Sequence, residues 1–392
     1  MRPISHKIHL FLSIPFGLLV TLICATGAML ALQDDIIRFL NLDYYYVEHK
    51  GTKPHDLDVI VKKVMDTVPD SIRIAGVEIS ADPRCSYRVK LSDADKSTVF
   101  VDQYTTEILG TRGETRFFAK VKQLHRTLLD SRPTEGILFH GKYITGITAI
   151  AFIAIIITGL AMWLPARHQS IRKTLCHPMR SGWRRVNKVL HGTTGTFASI
   201  FLLTMALTGL TWSFQWYRIA FYNLFGATAS VQNHPAHIDV LPDDPRLSEE
   251  ILHGWKHAFK HLEAAENGYD VVALSPHEAF GYYLSNGNTK ARDYYLFDNN
   301  GEIKNTKYYR DAKPDTKLRG WIYSVHTGSF GGIVTRIIWA LAAFTGALLP
   351  IGGYIIWWRR ITRRRGAHRC NDGCNKARMS DSRGCRSYMP SG

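Results

Sequence analysis

Acidic residues are nearly absent from large parts of this 392-residue chain. Of its 33 Asp and Glu, 31 lie in two segments, residues 33–142 and 218–336, where 30 Lys and Arg almost balance them. The rest of the chain carries 19 basic side chains and only two acidic ones, so the net charge of +16 is a local excess. Cysteine is also scarce. Of Cys24, Cys85, Cys176, Cys370, Cys374 and Cys385, only Cys85 falls in the balanced segments, which excludes a disulfide framework there. The Cys370-Asn-Asp-Gly-Cys374 run fits no standard zinc spacing and reads as a tail with reduced thiols, with metal binding as the alternative. Nucleophile triads, phosphate loops and zinc-protease motifs are missing, so hydrolytic chemistry has no visible site.

Charge of either sign is missing from four stretches: residues 8–32, 143–166, 189–217 and 337–358. Each reaches the length of about 20 helical residues that crosses a hydrocarbon core. Lipid cannot satisfy open backbone groups, and the stretches show no period-two alternation, so helices are expected. The first stretch has an alternative reading as a cleaved signal peptide, with Arg2 and Lys7 as its basic start. Against that, its apolar run is long, and its pattern recurs in the third stretch.

The basic excess lies before the first span, between the second and third, and after the fourth. Arg167, Arg172, Lys173, Arg180, Arg184, Arg185 and Lys188 make the middle cluster, and Arg359, Arg360, Arg363, Arg364 and Arg365 begin the tail. The positive-inside rule makes this side cytoplasmic, with both termini. Such charge suits anionic lipid, and nothing calls for nucleic acid. The resulting plan has transmembrane helices at 8–32, 125–166 (with an interfacial lead), 189–217 and 326–358. Outward modules occupy 33–124 and 218–325, with a cytoplasmic loop at 167–188 and a cytoplasmic tail at 359–392.

The chain reads as two parallel repeats, each a helix, an outward module and a second helix. His9 precedes Thr26-Gly27 in the first span as His191 precedes Thr208-Gly209 in the third, with 18 residues from His to Gly in both. Thr158-Gly159 with Trp163 and Gly352-Gly353 with Trp357 end the second and fourth spans alike. Each module reads as small α+β. Helical rhythm over 56–68 precedes strands at 72–79, 87–91 and 97–102 and a short one at 105–108. In the second module a helix over 249–263 precedes strands at 271–274, 280–284 and 294–297, with a turn at 298–301.

Ionisable residues at membrane depth are costly, which makes them functional candidates. His9 and His191 hold matching places near the inner ends of their spans; His125 and His326 precede spans two and four at the outer side. Two like pairs at opposite faces point to two bis-histidine haem b sites, since neutral imidazole is a good iron ligand. An interfacial histidine bonded to backbone or lipid is the alternative at each position. Eighteen helical residues span about 27 Å, so Gly27 and Gly209 lie opposite His9 and His191, and Gly159 and Gly353 opposite the outer pair. Glycine admits close approach, here expected of a flat porphyrin; ordinary small-residue packing is the alternative. His140 rivals His125, since it lies 19 residues before Gly159. His253, His257 and His261 have helical spacing and read as a solvated face, with a metal face as the alternative. Trp212, Phe214, Trp216 and Tyr217 read as an interfacial belt.

Several of these motifs resemble the PepSY-associated transmembrane family, linked in many bacteria to iron and siderophore uptake. Val99 through Gly110 looks like its closing strand, turn and strand, and Leu124-His125-Arg126-Thr127-Leu128-Leu129 like its second-helix approach. Leu190-His191 through Thr208-Gly209 looks like its third helix. Val325-His326-Thr327-Gly328 and Leu349-Pro350-Ile351-Gly352-Gly353 with Trp357-Trp358 look like its fourth. The likeness spans roughly residues 4–360 and favours His125 over His140. It implies PepSY-like outward modules and similarity to haem-containing ferric-siderophore reductases of the bacterial inner membrane. The chain departs from the family in having Gly352 in place of the usual Thr, a long gap from His125 to Gly141, and no flavin or nicotinamide domain after span four. A ferric siderophore is the expected acceptor, with a donor from the cytoplasm or membrane, no further catalytic residue assigned, and haem iron held by His9, His191, His125 and His326. The alternative is a binding or regulatory PepSY-type membrane protein without haem or redox activity.

Overall fold

The computed structural model describes residues 2–48, 51–131, 140–163, 183–229, 249–264 and 268–384. The first helix, α1 (Arg2–Ala31), leads into the short α2 (Gln33–Phe39) and α3 (Leu42–Tyr45). Next come α4 (Leu57–Met65), strands β1 (Ile74–Ser80), β2 (Tyr87–Leu91), β3 (Thr98–Val101) and β4 (Ile108–Arg112), α5 (Arg116–Thr127) and α6 (His140–Trp163). The second half has α7 (Trp183–Ser213), α8 (Gln215–Leu224), α9 (Glu249–Ala264), β5 (Val271–Leu274), β6 (Glu278–Tyr282), β7 (Arg292–Phe297) and β8 (Ile303–Lys307). It closes with α10 (Pro314–Thr327) and α11 (Gly332–Gly384). Most of the cytoplasmic loop expected at 167–188, with Cys176, and the end of the tail, with Cys385, lie outside the described residues.

Four helices are long and apolar enough to cross a membrane, over Pro3–Ala31, His140–Trp163, Val189–Ser213 and Ser329–Thr362. Helix α1 packs on α6 and α11, and α7 packs on the same two, so α1 and α7 face each other across the bundle. Val20, Cys24, Ile156, Ala198, Leu202 and Ala347 fill the bundle's middle. Small side chains in that set let the helices close without a hydrophobic drive from water.

The strands form one antiparallel sheet in the order β4-β3-β2-β1-β5-β6-β7-β8, with β1 and β5 paired at its centre. Alternation decides its faces. Val77, Ile79, Val89, Leu91, Val99 and Val101 meet Leu57, Ile60, Val61 and Val64 of α4 and Leu252, Trp255, Ala258 and Leu262 of α9 in a single core. Trp255, fully buried, donates Nε1–H to the Ser275 carbonyl at 2.9 Å, so burying the indole leaves no unpaired donor. The other face carries Glu78, Arg88, Lys90 and Arg292 beside Phe100, Phe280 and Tyr282. Phe100 packs at a tilt against Tyr45 of α3, with ring centres 4.8 Å apart. Arg336 at the head of α11 binds Asp35 of α2 at 2.8 Å, a second tie between the segments at that end.

Two strands differ from the expectation. The short strand expected at 105–108 starts only at Ile108, because 105–106 is a turn: Thr106 has φ 60°, and Asp102 accepts from the Tyr104 amide at 2.7 Å. Strand β8 was not expected. Its Ile-Lys-Asn-Thr-Lys sequence is polar because it closes the sheet edge with only one strand neighbour.

Candidate cofactor site: two facing histidine pairs

Each sheet half is followed by a helix that brings a histidine back to the bundle. His125 sits near the end of α5 and His326 near the end of α10, with their ring centres 6.4 Å apart. At the other end of the bundle, His9 of α1 and His191 of α7 face each other across the diagonal at 6.5 Å. Two metal–imidazole bonds of about 2 Å each, plus the distance from each nitrogen to its ring centre, come to about 6 Å. Both pairs therefore have the spacing of imidazoles sharing one metal.

The hydrogen bonds specify which nitrogen is free. His125 Nδ1 lies 3.0 Å from the Ile23 carbonyl and 3.1 Å from Thr26 Oγ1. His326 Nδ1 lies 3.0 Å from the Met205 carbonyl and 3.1 Å from Thr208 Oγ1. His9 Nδ1 lies 3.0 Å from the Ile155 carbonyl and 3.3 Å from Thr158 Oγ1. Each threonine hydroxyl already donates to its own helix: Thr26 to Leu22 at 2.8 Å, Thr158 to Ala154 at 2.7 Å and Thr208 to Thr204 at 2.7 Å. Both neighbours of Nδ1 are thus acceptors, so Nδ1 carries the proton and Nε2 keeps its lone pair. That is the tautomer which ligates through Nε2, and hydrogen-bonded Nδ1 is the usual support of a ligating histidine.

The glycines lie at the levels expected, Gly27 and Gly209 beside the outer pair and Gly159 and Gly353 beside the inner one, and each faces an imidazole edge. A Cβ on Gly27 would lie 3.1 Å from His125 Cε1, one on Gly159 3.3 Å from His9 Cε1, and one on Gly209 3.1 Å from His326 Cε1. A Cβ on Gly353 would lie 3.5 Å from His191 Cε1. The space opened by each missing side chain is filled by an imidazole edge from a neighbouring element. Glycine here seats the ring, and the preceding threonine orients it.

His140 is exposed at the start of α6, while His125 is the histidine placed against His326. His253 and His257 are exposed on α9, with their Nε2 atoms 3.2 Å apart; His261 is exposed one turn further on. Among the described residues no three His, Cys, Asp or Glu side chains converge on one point. A porphyrin supplies equatorial ligands itself, so a pair of imidazoles is the whole protein share, and this donor set fits haem iron.

Three contributors were missed in the sequence. The threonines were visible only as repeated Thr-Gly pairs, without their partners. Trp212, expected in an interfacial belt, packs edge-on against His326 at 5.1 Å. Lys290 sits with Nζ 4.3 Å over the ring of Tyr323, three residues before His326, and burial holds its amine below the ordinary lysine value. Nothing in the local sequence around Lys290 marks it, since the contact joins the β6–β7 connection to α10.

Four apolar helices of spanning length, with an antiparallel sheet at one end, are those of a multi-pass membrane protein. The chain belongs to the family described as the PepSY-associated TM region, whose model matches residues 6–360. No curated protein matches it.

Proposed function

We propose that this chain is a haem b electron-transfer protein of the bacterial inner membrane that reduces ferric siderophore iron on the periplasmic side. The observation that carries the reading is the pair of facing histidine couples, three of whose four imidazoles are held by Nδ1 with Nε2 left free. His9 and His191 would hold one haem near the basic, cytoplasmic end. His125 and His326 would hold the second at the sheet end. Haem, when bound, supplies one-electron chemistry between these two levels.

The chain's own residues then have defined tasks. Thr26, Thr158 and Thr208 fix ring orientation, and Gly27, Gly159, Gly209 and Gly353 give the rings room. The apolar middle formed by Val20, Cys24, Ile156 and Leu202 keeps water from the path between the pairs. Lys290 and Arg292 offer positive charge to an anionic ferric complex, with Arg292 lying 4.3 Å over Phe280. The two halves are read as copies of one unit: two four-strand meanders, each preceded by a helix and followed by a histidine-bearing one. Iron release from the siderophore follows from reduction, because hard oxygen ligands hold the divalent ion less well. The visible spectrum of the purified protein tests this reading. Bis-histidine b-type bands that respond to dithionite are expected; their absence would favour a PepSY-type binding or regulatory protein.

A further inference from the structure

The fourth histidine is seated differently. In span four the position that Thr26, Thr158 and Thr208 hold elsewhere is Gly352, and His191 Nδ1 is buried without a hydrogen-bond partner. Leu349 supplies the backbone carbonyl in the corresponding place. A buried imidazole nitrogen without a partner carries a desolvation cost that a native site removes.

The space that the missing side chain leaves is occupied. A Cβ on Gly352 would lie 3.1 Å from Asn187 Oδ1 and 3.7 Å from His191 Nδ1. Asn187 precedes His191 by four residues on α7, so both side chains project from one helix face. Its Nδ2 donates to the Gly352 carbonyl at 3.2 Å, which fixes the amide orientation and leaves Oδ1 as an acceptor turned to the same small space as His191 Nδ1.

We infer that Asn187 takes the threonine's place: its Oδ1 is the acceptor for His191 Nδ1–H, and Gly352 is glycine because Asn187 fills the position. Asn187 is thus a positioning residue for His191, resting on the haem reading above for its consequence but not for its geometry. An acceptor on Nδ1–H raises the donor strength of Nε2 and stabilises ferric iron. Loss of that acceptor should raise one of two midpoint potentials.

The experiment compares the full chain in detergent with Asn187→Ala, Gly352→Thr and the double variant, by potentiometric titration of the visible bands and by low-spin ferric EPR. Asn187→Ala should raise one midpoint and move one of two EPR signals. Gly352→Thr alone crowds Asn187 and should lower haem retention at that site. The double variant supplies a threonine and removes the crowding, so it should return the shifted midpoint toward wild type. The inference is overturned if Asn187→Ala leaves both midpoints and both signals in place, or if the double variant is no closer to wild type than Asn187→Ala. Absence of b-type bands from the wild type would refute the haem reading alone. In that case histidine side-chain ¹⁵N spectra decide the seat, since Asn187→Ala must still change the His191 Nδ1 resonance; an unchanged resonance overturns the inference.

Discussion

Thr208 holds Nδ1 of His326 at 3.1 Å, the distance at which Thr26 holds Nδ1 of His125. The two threonines stand on the first helices of the two halves, and the two histidines on helices that follow each half of the sheet. Each seat is built from one Thr-Gly pair: the hydroxyl accepts from the ring, and the glycine clears its Cε1 edge. Thr208→Val keeps the shape and removes the acceptor. It should leave α7 folded, raise the midpoint of one haem and weaken that haem's retention, within the about 10–100-fold range typical of such supporting partners. Haem titration of the apoprotein measures the retention. Unchanged affinity and midpoint would show that the Met205 carbonyl alone orients His326.

The four spans were legible because charge is absent from them and because helices must satisfy their own backbone. The matching places of His9 and His191 were legible because their interval to Gly27 and Gly209 recurs, whereas His125 was preferred to His140 only on the family resemblance. What each glycine faces was not legible. His125 reaches Gly27 only because α5, an amphipathic helix, returns its last turn to α1, and that approach is a tertiary contact between residues 98 positions apart in the chain. The polar β8 was likewise hidden, since an edge strand lacks the apolar alternation by which strands are recognised. Lys290 was hidden for the same reason as the glycine contacts: its partner, Tyr323, lies on another element.

Orientation follows from the distribution of charge. With 19 basic and two acidic residues outside the two balanced segments, the positive-inside rule supports the proposal that the basic ends are cytoplasmic. Ser97 precedes β3 and Asn299 lies in the β7–β8 turn, both at the sheet end. Alkaline phosphatase fused at either site should be active, and a fusion after Arg365 should be inactive. An inactive fusion at Ser97 or Asn299 would refute the orientation.

Lys290 lies over Tyr323, three residues before His326, and Arg292 follows it at the start of β7 over Phe280, with no carboxylate bonded to either among the described contacts. An anionic ferric complex should be drawn there. Lys290→Ala with Arg292→Ala should slow its reduction by about tenfold at low salt, with the difference shrinking as ionic strength screens the site. The visible spectrum should not change. Stopped-flow oxidation of the pre-reduced protein measures this directly. A salt-independent loss would mean that the two residues support packing over Phe280 and Tyr323 instead.

The assignment of ligands and the direction of electron flow meet in one set of substitutions. His191→Ala would remove a proposed haem ligand near the basic end while Ala preserves the helix. The sheet-end pair stands on α5 and α10, so its haem should remain, and haem content should fall to about half of the two expected per chain. Electrons offered from the cytoplasmic side should then stop, whereas a reductant added from the sheet side should still reduce the remaining haem. His326→Ala should give the mirror image: the basic-end haem stays reducible from the cytoplasm, with no delivery to the acceptor. His125→Ala should match His326→Ala, because those two rings face each other at 6.4 Å. His140→Ala should be silent, because His140 is exposed at the start of α6. Pyridine haemochrome content and sided reduction in proteoliposomes measure both halves of the argument. Full haem and activity in His191→Ala would refute the pairing with His9. Loss of the sheet-end haem in His140→Ala, with His125→Ala unaffected, would keep the two-level architecture and move its outer ligand.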